Sequence, residues 1–72
     1  MDTKQWVHKG HIYGPLSYTG FFMQDGRIHG PKGETDFRLE GGRIVGPEGD
    51  TGYRIEESHI FGPTAQPPWG PP

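Results

Sequence analysis

One sixteen-residue phrase recurs along the chain without insertion or deletion, and it constrains the fold more than any single motif. It reads most cleanly as FRLEGGRIVGPEGDTG over residues 37–52. In the same frame residues 5–20 read QWVHKGHIYGPLSYTG, residues 21–36 read FFMQDGRIHGPKGETD, residues 53–68 read YRIEESHIFGPTAQPP, and a fifth copy begins at Trp69. A Gly-Pro pair marks each full copy, at Gly14-Pro15, Gly30-Pro31, Gly46-Pro47 and Gly62-Pro63. A strict short period means one supersecondary unit whose apolar face is buried only by packing on its neighbours.

Within the phrase, Phe37-Arg38-Leu39-Glu40 alternates apolar and polar, Gly41-Gly42 follows, and Arg43-Ile44-Val45-Gly46 completes the pattern. Two short alternating runs around a two-residue turn specify a β-hairpin, because the turn needs positive φ that glycine adopts without steric cost. The corresponding turns are Lys9-Gly10, Asp25-Gly26, Gly41-Gly42 and Glu57-Ser58. Glu57-Ser58 has no glycine, so the fourth hairpin is expected to be the most strained or the most mobile. A two-residue turn sets the register, with Glu40 opposite Arg43, Leu39 opposite Ile44, Arg38 opposite Val45 and Phe37 opposite Gly46. One face then carries Phe21, Phe37, Tyr53 and Trp69, with Val7, Met23, Leu39 and Ile55, and Ile12, Ile28, Ile44 and Ile60. Only the tyrosine hydroxyl is polar in that set, which marks this face as the core. Proline cannot donate to a sheet ladder, so each Gly-Pro ends a hairpin, and in Gly30-Pro31-Lys32-Gly33 and Gly46-Pro47-Glu48-Gly49 the pattern suits a type I turn.

An open row of such hairpins leaves two unpaired edges and an uncovered core face, and closure into a ring removes both. The expected fold is therefore all-β: four hairpin repeats closed into a shallow pseudo-four-fold ring or barrel, one domain over residues 1–72 with a closing segment at residues 69–72. Gln5 stands where the later copies have Phe21, Phe37 and Tyr53. Trp69 is expected to supply that missing aromatic and complete the first hairpin from the other terminus. The alternative is that it belongs to a loose proline-rich tail.

The stretches GRIHGPKGETDFRLE and GRIVGPEGDTGYRIE and the terminal PPWGPP resemble the four-fold β-flower proteins, small bacterial proteins with repeats similar to RIYGPxGxTGYRIE and a closing Pro-Trp segment. The resemblance covers residues 5–70. It implies a ring-closed barrel of four hairpins and no assigned activity. The first copy departs from the pattern, since Leu16-Ser17-Tyr18 replaces the glycine-containing turn and Trp6 and Phe22 replace arginines.

Composition narrows the function classes. With no cysteine there is no disulfide framework and no thiolate metal site, which favours a reducing or indifferent compartment over a disulfide-dense secreted class. A formal charge of -2 lacks the basic excess of an electrostatic nucleic-acid binder. The longest apolar run is Phe21-Phe22-Met23, so neither a signal peptide nor a membrane span is expected, and the cytoplasm is the default location. No Ser/His/Asp or Cys/His arrangement interrupts the repeat, so no catalytic residues and no cofactor are assigned.

Function is then sought on the outer face. At the hairpin tips the facing pairs are His8/His11, Gln24/Arg27, Glu40/Arg43 and Glu56/His59. Cross-strand charge pairing that holds register is the simplest role, each exposed pair being worth roughly 0.2–1 kcal/mol. A metal site built from His8, His11, Glu56 and His59 is the sharper alternative, because ring closure would set the fourth hairpin beside the first. Lower down, Trp6 faces Tyr13, Phe22 faces His29, Arg38 faces Val45 and Arg54 faces Phe61. An exposed aromatic patch in a soluble chain marks a partner, ligand or self-association site. Trp6, Tyr13, Phe22, Arg54 and Phe61 are accordingly the candidate binding residues, for a protein or small ligand or for a second copy of the chain. Single-stranded nucleic acid stacked on these rings is a further alternative, against which the net charge argues.

Overall fold

The computed structural model describes residues 1–69, and the rest of the closing segment, residues 70–72, lies outside the described residues. Strand β1 spans Asp2–His8, β2 His11–Tyr13, β3 Tyr18–Gln24, β4 Arg27–Gly30, β5 Gly33–Glu40, β6 Arg43–Gly46, β7 Gly49–Glu56 and β8 His59–Phe61. Each pairs antiparallel with its sequence neighbour and β8 returns to β1, so the sheet is a closed barrel. Among the described residues no helix is long and apolar enough to cross a membrane.

The expected registers hold, with Trp6↔Tyr13, Phe22↔His29, Arg38↔Val45 and Arg54↔Phe61 inside the hairpins. Both residues of each hairpin turn have positive φ, at Lys9 and Gly10, Asp25 and Gly26, Gly41 and Gly42, and Glu57 and Ser58. Two left-handed residues are what a mirror-image type I turn requires, and its twist matches that of the flanking strands. Glu57 and Ser58 adopt φ of 51° and 71° with β-carbons present, so strain is concentrated in the fourth turn.

Between hairpins the pairing is different. Each of the four seams carries a register shift, between Asp2 and Gln5, His11 and Tyr13, Arg27 and His29, and Ile44 and Val45. A bulge increases local twist and bends the strand, which is how a short sheet turns the corners of a barrel. A threonine stabilises each bulge. Thr3, Thr19, Thr35 and Thr51 donate to the carbonyls of Ile60, Ile12, Ile28 and Ile44 at 2.6–2.7 Å. The same hydroxyls accept from the amides of Gln5, Phe21, Phe37 and Tyr53 at 3.1–3.2 Å. A backbone bond adds to each seam, from Met23 N to Gly10 O, Leu39 N to Gly26 O, Ile55 N to Gly42 O and Val7 N to Ser58 O.

Each copy's first strand starts ahead of the sixteen-residue phrase, at Tyr18, Gly33 and Gly49 as at Asp2, and Thr3 is the threonine of the fourth seam. The pairing of β1 with β8 closes the ring through Asp2↔Phe61, Gln5↔Ile60 and Trp6↔His59. A correction concerns Trp69. It is buried, so it is no loose tail, yet it does not complete the first hairpin. Its ring meets Phe37 and Tyr53 edge to face, with centroids 6.0 and 5.6 Å apart. No atom of Trp69 lies within 4 Å of a β-carbon placed on Gly14, the glycine opposite Gln5.

The interior holds the expected inner face. Ile12, Ile28, Ile44 and Ile60 are completely buried at mid-height, each contributing roughly 1.5–3 kcal/mol of transfer free energy. Val7, Met23, Leu39 and Ile55 pack half-buried against them, and Phe21, Phe37, Tyr53 and Trp69 form the remaining layer. Cross-strand glycines make room for the aromatics. A β-carbon at Gly30 or Gly46 would sit 2.7 Å from Cε1 of Phe21 or Phe37, and one at Gly62 would overlap the Tyr53 ring. Each ring thus lies against a glycine backbone that would otherwise be bare.

Candidate functional site

The outer face is best read seam by seam, because the scaffold repeats while its outward side chains do not. At β4–β5, Arg27 reaches Glu34 at 2.5 Å, and at β6–β7, Arg43 reaches Asp50 at 3.4 Å. At β2–β3 the equivalent pair is His11 and Tyr18, joined by a 3.1 Å contact between Nδ1 and the phenolic oxygen. The same diagonal, seven residues apart, is therefore an ion pair at two seams and an aromatic pair at a third.

Around Tyr18 the rings are continuous. Trp6 stacks on Tyr13 at 4.6 Å and 17°, Tyr13 meets Tyr18 at 5.4 Å, and Tyr18 meets His11 edge to face at 5.3 Å. His11 lies 6.1 Å from Phe22, and Phe22 stacks on His29 at 5.2 Å and 13°. The result is an aromatic stripe running across β1, β2, β3 and β4. Trp6 and Tyr18 remain 38% and 43% exposed, so the stripe is reachable from solvent along its length. Leu16, in the connector just before Tyr18, is 96% exposed. The corresponding connectors carry Lys32, Glu48 and Thr64 at that place, so the apolar character extends past the strands only on this side.

Three of the candidate residues, Trp6, Tyr13 and Phe22, are brought together in this stripe. Phe61 is not. Among the described residues it has no ring neighbour, and the Arg54 guanidinium lies over it at 5.3 Å. Tyr18 and His29 are not among the candidate residues, and His11 is a candidate only as a metal ligand; all three belong with the stripe. The position shared by Tyr18, Glu34 and Asp50 looks variable and solvated in the sequence; its departure from charge in this one copy was the available signal.

The cationic half of the expected face is largely neutralised. Every arginine is held by a carboxylate: Arg27 by Glu34, Arg38 by Glu40, Arg43 by Asp50 and Arg54 by Glu56. Charge pairing also takes a different route from the one the sequence suggested. Glu40 and Glu56 bind the arginine two residues earlier on their own strand at 2.5 Å, while Arg43 turns to the next strand. The twist of a tight hairpin sets its diagonal neighbours close, and side chains at i and i+2 share a face. These pairs are exposed and contribute little to stability.

The tips bring His8 opposite His11 and Glu56 opposite His59 as expected, and His59 beside Trp6. Among the described residues, however, no three histidine or carboxylate side chains converge closely enough to hold a metal ion. His8, His11, Glu56 and His59 therefore do not form a single centre. His8 packs its ring edge against Trp6 at 6.4 Å, and His11 is engaged by Tyr18.

Comparison with family descriptions, with curated proteins and with solved structures gives no match for the chain.

Proposed function

We propose that the chain is a non-enzymatic recognition module that binds a protein or small ligand through the stripe formed by Trp6, Tyr13, Tyr18, His11 and Phe22. The observation that carries this reading is the confinement of the stripe to one sector of a repeated scaffold. Two other seams solve the same structural problem with ion pairs, so aromatic rings are not needed there to close the barrel. Exposed tyrosine and tryptophan supply large rigid contact area with little side-chain entropy to lose. The closed ring of hairpins, the Gly-Pro connectors and the Pro-Trp segment also support kinship with the β-flower proteins.

Single-stranded nucleic acid could in principle stack on such rings, but backbone phosphates need free cations beside them. With all arginines bound to carboxylates, only Lys4, Lys9 and Lys32 remain for that role. Protein or small-ligand recognition is the better fit.

Capture from host-cell lysate with the wild-type chain beside a Trp6→Ala, Phe22→Ala variant tests the reading, with the captured partner then purified and titrated against both. Retention by the wild type and loss of at least about tenfold in affinity by a folded variant is the expected result. Equal binding by the two chains would remove the stripe as the recognition surface.

A further inference from the structure

The end of the barrel that carries the Gly-Pro connectors holds a second candidate site, independent of the outer stripe. Phe21, Phe37 and Tyr53 line this mouth, and the chain's own residues 66–69 enter it. Pro67 is completely buried and Trp69 is 6% exposed, while Pro68 between them stays exposed. The segment alternates anchor and spacer in the manner of a docked peptide. Tyr53 secures it from the barrel side, its hydroxyl meeting Thr64 Oγ1 at 2.6 Å and donating to the Gln66 carbonyl at 2.9 Å.

Three features distinguish this segment from the rest of the chain. It follows β8 and lies in no strand, so no sheet ladder holds residues 63–69. The ring is already closed by β1 and β8, and the barrel's connectivity does not depend on the segment. Finally, the segment does not fill the mouth. Clefts of about 440 and 380 Å³ remain on its two sides, one between Phe37 and Tyr53 and the other between Phe21 and Trp69 itself. The two clefts repeat the same Gly-Pro connector and threonine at a spacing of sixteen residues, Gly30-Pro31 and Thr35 in one and Gly46-Pro47 and Thr51 in the other.

From this geometry we propose that the barrel mouth is a recognition site for a proline-flanked tryptophan, occupied in cis by residues 66–69 and able to take the same kind of segment in trans. The ligand class follows from the contacts. An indole meets two aromatic rings in T-shaped contacts, the geometry that ring quadrupoles favour. Pro67, two residues before it, enters with its backbone already restricted and without an amide needing a partner. Tethering keeps the cis segment at millimolar effective concentration, so a partner's segment must compete with it. Occupancy by a partner would then release the chain's own tail, and the tail acts as a built-in competitor.

The test uses the full chain with a protease recognition sequence inserted at the exposed Thr64-Ala65 link. After cleavage the released fragment should still co-elute with the barrel in gel filtration. A fluorescein-labelled peptide of residues 66–72, Gln-Pro-Pro-Trp-Gly-Pro-Pro, should then replace it with saturable anisotropy. The same peptide carrying Trp69→Ala should bind at least about tenfold more weakly, as expected for loss of a buried aromatic anchor. The uncut chain should bind the labelled peptide at least about tenfold more weakly than the cut one, because its own segment competes. A fragment that leaves on cleavage without rebinding, whether or not the barrel unfolds, overturns the proposal. So does equal binding of the two peptides. Neither result bears on the outer stripe, whose variants leave the mouth untouched.

Discussion

The β2–β3 and β6–β7 seams share a bulged pairing, with His11↔Phe22 and Tyr13↔Tyr18 in one matching Arg43↔Arg54 and Val45↔Asp50 in the other, and differ almost completely on the outside. In both, a threonine donates to an isoleucine carbonyl and accepts from the amide two residues on: Thr19 to Ile12 and from Phe21 at one, Thr51 to Ile44 and from Tyr53 at the other. In both, the strand is bulged, and the amide of the inner residue four positions beyond the threonine bonds the preceding turn. On the outside, one seam presents Arg43 and Asp50 and the other presents His11 and Tyr18, flanked by Tyr13 and Phe22. A repeat protein supplies its own internal control. What recurs at every seam is the framework, and what changes at one seam is free to serve recognition.

The largest effect expected on this comparison comes from Trp69→Ala. Loss of a buried aromatic costs about 3–5 kcal/mol. The damage should be lopsided, because Trp69 touches Phe37 and Tyr53. Amide exchange should therefore rise more along β5 and β7 than along β1 and β2. Uniform acceleration around the ring would show that the mouth layer acts as one unit.

Next come the glycines under the aromatics. Gly46→Ala forces a methyl against Phe37 and should destabilise by roughly 3 kcal/mol, the upper end for an overpacked core. Gly14→Ala meets Thr19 Cγ2 at 3.3 Å and the Ser17 carbonyl oxygen at 3.7 Å, with no aromatic ring in the way, and should cost under about 1 kcal/mol. Urea melts of the two variants measure the difference directly, and equal midpoints would mean that Gln5 is no less bulky a neighbour than Phe37. Thr19→Val and Thr51→Val should then lose about 1–2 kcal/mol each and equally, since both leave the same carbonyl and amide without partners. Unequal losses would break the claim of a common framework. The smallest effect is expected from Arg43→Ala. Its pair with Asp50 is exposed on both sides, so the loss should stay under about 1 kcal/mol and shrink further with added salt.

Much of this architecture is legible in the sequence alone. Alternation around a two-residue turn is enough to fix register, and register is enough to assign an inner face, so the isoleucine layer and its aromatic and aliphatic neighbours could be named one by one. The seams were harder to read, because a bulge shifts which residues oppose one another and leaves no mark in a strictly periodic sequence. The threonines at residues 3, 19, 35 and 51 do keep the period, and a frame that began at Gln5 cut the first of them off. With Thr3 in the frame, β1 becomes the fourth seam's second strand and ring closure needs no help from the tail. Tyr18 is hard to place from sequence for a related reason. It sits on the seam strand and meets Tyr13 and His11 only after β2 and β3 pair. The partners of the arginines were likewise a matter of twist and side-chain reach, which facing pairs alone do not reveal.

On the function proposed here, the aromatic sector serves recognition and the scaffold beneath it does not need it. The most direct measurement is the melting temperature, beside partner binding, of a chain carrying Trp6→Arg, His11→Arg, Tyr18→Glu and Phe22→Arg. These changes write the charged pattern of the other seams onto β1–β3, with an Arg-Glu diagonal like that of Arg27 and Glu34. The account predicts a cooperative transition within about 4 °C of wild type, equivalent to under roughly 1 kcal/mol for a domain of this size, together with loss of capture. A fall of about 10 °C or more would contradict it, by showing that the stripe holds the barrel together.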